Sequence, residues 1–156
     1  MLFHASIPAD EPQRVARVIA ELWGGEVLPF PPFPDAYIAL AGDEHRTALE
    51  AYPRGREHVP APAEYAVRTN PMPSPHSEVH LAIGTVLSAE AVLACARREG
   101  WSAQRSSRGG LFDVIELWVE NKFLLEVLPE AEQRRYVENM SAEKFRVRFG
   151  IRQDKG

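Results

Sequence analysis

An α+β fold made of two βαβββ modules is the architecture this sequence predicts, and three observations predict it. Sliding the chain by 76 residues brings His4 onto His80, Glu50 onto Glu126, Ile7 onto Ile83, Gly24 onto Gly100, Leu49 onto Leu125 and Pro53 onto Pro129 without a gap. Each half opens on a short β-type run, followed by apolar residues at helical spacing that stop at a glycine. Each half then closes on further β-type runs, up to three, the last ending at a proline.

The elements follow in order. Leu2 to Ile7 reads as a strand. Asp10 is the expected N-cap of a helix with Pro12 in its first turn, and Val15, Val18, Ile19 and Leu22 form its apolar stripe. Gly24 and Gly25 end that helix, and a Pro-rich loop carries Phe30 and Phe33. Tyr37 to Ala41 and Thr47 to Tyr52 read as strands around a Gly42-Asp43-Glu44 turn. Residues 54–77 read as a connector, because the prolines at 60, 62, 71, 73 and 75, with Pro53 just before, exclude regular helix over most of it. Glu78 to Ile83 restarts the pattern as a strand, and Ser88 caps a helix that ends at Gly100. Trp101 to Arg105, Phe112 to Val119 and Phe123 to Leu128 are the expected strands, with Arg108-Gly109-Gly110 a turn. The modules are therefore residues 1–53 and 78–129. A tail, 130–156, holds two short helices, the second capped by Ser141.

Bulk properties exclude several classes. The 156 residues suit one compact domain or two small modules sharing a core, and 45% apolar residues suffice to build it. A net charge of −4 with no dense basic run argues against a nucleic-acid partner. No apolar run approaches the ~20 residues that span a bilayer, so no membrane partner is expected. The N-terminus lacks the basic and long apolar regions of a signal peptide. Cys95 is the single cysteine and sits among alanines on the second helix, which reads as a small core residue in a reducing, cytoplasmic protein.

The repeated pairs carry the chemistry. By strand alternation His4 shares a face with Ser6, Glu50 with Tyr52, His80 with Ala82, and Glu126 with Leu124 and Leu128. A lone histidine at a strand start is more often a half-exposed surface residue, and a lone strand glutamate usually faces solvent. Two such pairs kept through one ungapped shift argue for more. A carboxylate between Leu125 and Val127 is costly to bury unless it is paired or binds a cation. His4, Glu50, His80 and Glu126 therefore read as ligands of one divalent metal. The donor types suit Zn, Ni, Co, Mn or Fe(II) and leave one or two positions for water or substrate. His45, His58 and His76 fall outside the pattern and read as solvated loop residues.

The segments Phe3-His4-Ala5-Ser6-Ile7, Ala48-Leu49-Glu50-Ala51, Val79-His80-Leu81-Ala82-Ile83 and Leu124-Leu125-Glu126-Val127 resemble the vicinal oxygen chelate superfamily over residues 2–129. The ligand set is most similar to that of bacterial glyoxalase I. The resemblance implies a six-coordinate ion held by the four residues, and a small substrate that chelates through neighbouring oxygens. It implies lyase or isomerase chemistry through an enediolate or enolate, with Glu126 or Glu50 leaving the metal to act as base. It also implies a homodimer whose site joins one chain's first half to the partner's second, and the long connector is equally compatible with pairing of the two halves within one chain. A metal-dependent oxygenase and a non-catalytic small-molecule-binding protein are the alternatives. Two departures stand out. Glu120-Asn121-Lys122 replaces the family's Asp-Pro-x-Gly turn, and no glutathione-binding residues are matched. Tyr52, Arg54, Arg56, Trp118, Phe30 and Phe33 are secondary candidates for the substrate wall, each with core packing or solvation as the commoner role.

Overall fold

The computed structural model describes residues 2–62 and 65–151. The first module contains β1 (His4–Ala9), α1 (Pro12–Trp23), β2 (Glu26–Pro29), β3 (Tyr37–Leu40) and β4 (Ala48–Pro53). A hairpin of β5 (Arg56–Val59) and β6 (Ala66–Thr69) follows. The second module contains β7 (Leu81–Gly84), α2 (Ala89–Glu99), β8 (Ala103–Ser107), β9 (Asp113–Val119) and β10 (Phe123–Leu128). The tail forms α3 (Glu130–Asn139) and α4 (Ala142–Phe149).

The two sheets have the same topology, β1-β4-β3-β2 and β7-β10-β9-β8. The first and last strands of each module run parallel, and their registers agree. Ala5 pairs with Leu49 and Ser6 with Glu50 in one sheet, while Leu81 pairs with Leu125 and Ala82 with Glu126 in the other. The 76-residue step carries the first set onto the second. It fails in the middle: Ile38 lies opposite Glu50, but Glu116 lies opposite Glu126, two residues beyond where the step would place it. Between equivalent strand positions the β8–β9 hairpin is longer by those two residues, and Arg108 sits at its tip.

Side-chain alternation then separates two faces. Ile7, Ala9, Leu49 and Ala51 turn inward beneath α1, and Ile115, Leu117, Leu125 and Val127 turn inward beneath α2, all within one shared core. Burying this set supplies the main driving force, at about 25 cal/mol per Å² of apolar surface. Glu50 and Glu126 lie on the opposite faces, away from α1 and α2. Both helices end as the sequence predicts, with Gly24 (φ 64°) and Gly100 (φ 71°) taking the left-handed conformation that closes the last turn.

The modules are clamped by polar contacts across the core's rim. Arg14 Nε donates to Glu99 at 2.8 Å, and Arg98 reaches both Glu99 and Glu21. Trp23 Nε1 donates to the Gly84 carbonyl, and the Thr85 hydroxyl to that of Leu22. Arg54 bonds Asp10 and Glu120.

Three details differ from the sequence reading. Asp10 does not cap α1. Glu11 holds that position without a side-chain cap, and the backbone N–H groups of Asp10 and Glu11 donate to the Glu120 carboxylate of the other module, both at 2.7 Å. The free helix end is thereby satisfied from a distance of over a hundred residues, which no local pattern announces. β2 occupies part of the expected Pro-rich loop. Its proline is tolerated because it ends a four-residue strand at the sheet edge. The connector contains the β5–β6 hairpin because its prolines flank the two paired segments without entering them.

Candidate functional site

On the first module's open face, Glu50 is nearly enclosed, 8% exposed. One of its oxygens accepts two hydrogen bonds, from Ser6 Oγ at 2.8 Å and from the Tyr52 hydroxyl at 3.1 Å. The register explains the Ser6 contact, since Ser6 and Glu50 are direct partners on neighbouring parallel strands. Tyr52 lies two residues along on the same face. Burial pushes the Tyr52 phenol up from its ordinary value, and the charge and hydrogen bond of Glu50 add to the effect. At neutral pH the phenol is therefore a fixed proton donor to the carboxylate. Tyr52 also sits among Phe30, Phe33 and His58, with ring centroids 5.0 Å from Phe33 and 5.2 Å from His58. Tyr65 closes the group at 4.9 Å from His58.

His58 is a correction to the solvated-loop reading. It lies on β5, and the hairpin lays it against Tyr52, although its outer edge stays exposed. His76 likewise borders a cleft of about 240 Å³ between the connector and the Ser6–Tyr52 surface, shared with Arg54, Arg56, Ser74 and Ser77. His45 stays half-exposed in its turn beside Glu44. Arg54 is not a solvated arginine. Its side chain is 11% exposed and neutralised by Asp10 and Glu120, so it joins the modules. Cys95 is buried, and burial raises its thiol.

On the second module's open face Glu126 has different company. Arg108 donates through Nε to Glu126 at 3.0 Å and also bonds it through Nη2. The same guanidinium reaches Glu116 at 2.9 Å and Ser106 Oγ at 2.7 Å. Burial works against the Arg108 charge, but the bonds from Glu126 and Glu116 outweigh it and raise its basicity further. Glu116 is held below the ordinary carboxylate range by its bonds from Gln104 and Arg108. Trp118, opposite Leu124, shares this face, while Leu117 turns into the core.

His4 and His80 stand at the exposed starts of their modules' first strands, and among the described residues neither imidazole makes a hydrogen bond or ion pair. His4 lies in the β1–β4 ladder, opposite Ala48 and two residues along from the Ser6–Glu50 pair, whereas His80 lies just before β7 and outside its ladder. The donor chemistry therefore suits a divalent cation, and the free imidazoles leave ring nitrogens to bind it. The two pairs do not meet in one chain. Among the described residues no group of three or more His, Cys, Asp and Glu gathers closely enough to hold an ion. Ser6 and Arg108 are the site residues that the sequence reading did not single out. Ser6 was legible from its parity with His4, whereas Arg108 depended on the longer β8–β9 hairpin.

No protein-family model matches the chain, and no curated protein sequence matches it. Solved structures do match. The fosfomycin resistance protein FosX from Mesorhizobium loti superposes with a TM-score of 0.53 at 12% identity, over 86% of this chain and 96% of that one. FosX from Listeria monocytogenes, as a mutant complexed with Mn(II) and 1S,2S-dihydroxypropylphosphonic acid, gives 0.53 at 10% identity, over 86% and 95%. An integron cassette protein from V. cholerae gives 0.50 at 12% identity, over 83% and 94%. The chain thus shares the fold of these proteins, two βαβββ modules with paired first and last strands.

Proposed function

We propose that the protein is a metal-dependent lyase or isomerase of glyoxalase type, acting on a small oxygen-chelating substrate. One observation supports the reading: two His–Glu pairs recur 76 residues apart, and their glutamates sit at equivalent places in last strands that pair in the same register with the first. His4, Glu50, His80 and Glu126 would hold the cation. Since the two pairs stay apart within one chain, the complete set joins the first module of one copy to the second module of another, in a homodimer. The bound ion would supply Lewis-acid stabilisation of negative charge on a substrate oxygen.

The chain's own residues divide the remaining work unequally. Glu50 is the better placed proton acceptor, because only neutral hydroxyls hold it, whereas Glu126 is already compensated by a guanidinium. Ser6 and Tyr52 fix one carboxylate oxygen and leave the other to face a substrate carbon. Glu126 serves as a charge that stays in place. The connector cleft beside Tyr52 admits a small molecule, and Phe30, Phe33 and Tyr65 shield the surroundings from water.

The test is a metal analysis followed by solvent-deuterium exchange. Added Mn(II), Zn(II), Ni(II), Co(II) or Fe(II) should raise the melting temperature. A panel of hemithioacetals, 2-oxo acid derivatives and acyl-CoA epimers should include a substrate whose acidic C–H exchanges, and Glu50→Gln should abolish that exchange. Fosfomycin belongs in the panel, given the relatives that share the fold. Dioxygen uptake would replace the reading by an oxygenase. No stabilisation by any of the five ions would defeat it in favour of metal-free binding.

A further inference from the structure

The two glutamates are matched in sequence and register, yet their surroundings are not. Glu50 meets two hydroxyls. Glu126 meets a guanidinium that lies between it and Glu116, with a third bond to Ser106. Arg108 has no counterpart in the first module, where the 76-residue step falls on Pro32 and the residue opposite Glu50 is the apolar Ile38. The turn that carries it is fixed. The Arg108 N–H donates to the Phe112 carbonyl at 2.8 Å, and Gly109 and Gly110 take positive φ values of 63° and 78° that side chains rarely adopt. Its side chain is 27% exposed, against 18% for Glu116 and 15% for Glu126, so the three charges lie in a partly dry setting where attraction is strong.

A divalent cation that bound Glu126 would meet this arginine first. Both of its bonds fall on Oε1 and leave Oε2 open to a cation, which would then sit beside a guanidinium of like charge. We propose that Arg108 is an internal counter-ion of Glu126 that competes with a metal for the carboxylate's charge, and that it sets how tightly the site takes metal. The inference rests on the proposed role of Glu126 as a ligand. A metal at Glu126 weakens the forked, charge-assisted bonds from Arg108, while Glu116 and Ser106 hold the guanidinium close by. Arg108 is thus a positioning residue. It keeps the carboxylate aimed and compensated while no metal is bound, and it weakens binding in exchange.

The experiment is calorimetric titration of the full-length protein with Mn(II) alone, at neutral pH and fixed ionic strength. Arg108→Met should bind Mn(II) at least about tenfold more tightly than the unaltered protein, the scale expected for losing competition from one charge-assisted pair. Arg108→Lys keeps the charge but loses the fork, and should fall between the two. Arg105→Met removes the same charge from an exposed site paired with Glu90, and should leave the affinity within about twofold. A thermal melt of each variant confirms folding, and the Lys variant carries the test should Arg108→Met not fold. Equal or weaker Mn(II) binding by the Arg108 variants overturns the inference while leaving the metal site standing. Equal tightening by Arg105→Met also overturns it, since general electrostatics would then suffice. No Mn(II) binding by any protein, with none for the other four ions, removes the metal reading and this inference together.

Discussion

Tyr52→Phe isolates one bond at the heart of the site. Tyr52 is 4% exposed, and its ring packs among Phe30, Phe33 and His58. Phenylalanine keeps that ring and deletes only the hydroxyl that donates to Glu50 at 3.1 Å. A hydrogen bond to a charged group contributes about 1.5–3 kcal/mol. The bond is long, and Ser6 still donates to the same oxygen at 2.8 Å, so the low end applies. The expected loss is about 1.5 kcal/mol, or roughly tenfold in the unfolding constant. Urea unfolding at neutral pH should show the midpoint falling by about 1 M at a typical slope for a chain of this size. A double-mutant cycle with Glu50→Gln should return a coupling of about 1 kcal/mol. The tyrosine should also resist ionisation. Its phenol is raised from the ordinary 10.0, so the stability it confers is complete below pH 10 and is lost only as pH rises through the higher folded value. Near-ultraviolet titration should therefore show one phenol lagging behind the others. A cost below about 0.3 kcal/mol with no coupling would refute the claim that Tyr52 holds the Glu50 charge.

Other expectations concern the scaffold. Glu99, with its side chain 5% exposed, is pushed up by burial but held below its ordinary 4.5 overall by its bonds from Arg14 and Arg98. A carboxylate lowered on folding stabilises above its unfolded value, and that contribution disappears as pH falls below about 4.5; Glu99→Gln should flatten the acid limb of the stability profile, and an unchanged limb would contradict the clamp. Leu117→Ala, at a fully buried position on β9, should cost about 2–5 kcal/mol in urea unfolding, and a cost under 1 kcal/mol would place Leu117 outside the core. Cys95 should react with a thiol reagent only in denaturant, because burial both hides the thiol and raises it; rapid labelling of the native protein would contradict the shared core around α2.

Much of the fold was legible because the duplication is a matter of residues that structure cannot easily move. Gly24 and Gly100 end helices by backbone conformation, and the His–Glu spacing survives because parallel first and last strands fix it. Ser88 and Ser141 were readable as caps because their partners, the N–H groups of Ala91 and Lys144, lie three residues away. The cap of α1 was not readable, because it is Glu120 of the other module. The same logic governs the site. Tyr52 follows from the parity of β4, and Trp118 could be assigned to the open face only once the β9–β10 register was known. That register is set by Glu120 and Asn121, both at positive φ in a tight turn. His58 depends on a hairpin that covers the first module's face, and Arg108 on a two-residue lengthening of the β8–β9 hairpin, so neither announces its partner in the sequence.

The central claim is that the two His–Glu pairs complete each other between copies. Mixing two defective proteins tests it most directly. His4→Ala/Glu50→Gln disables the first module, and His80→Ala/Glu126→Gln disables the second. Neither protein alone should bind Mn(II) at the affinity of the unaltered protein. After unfolding and refolding together in equal amounts, half of the dimers carry one of each chain. In each of these, one of the two sites joins an intact first module to an intact second module. The account predicts recovery of about a quarter of the full metal-binding capacity at unaltered affinity. No recovery from a mixture shown to contain the mixed dimer would contradict it.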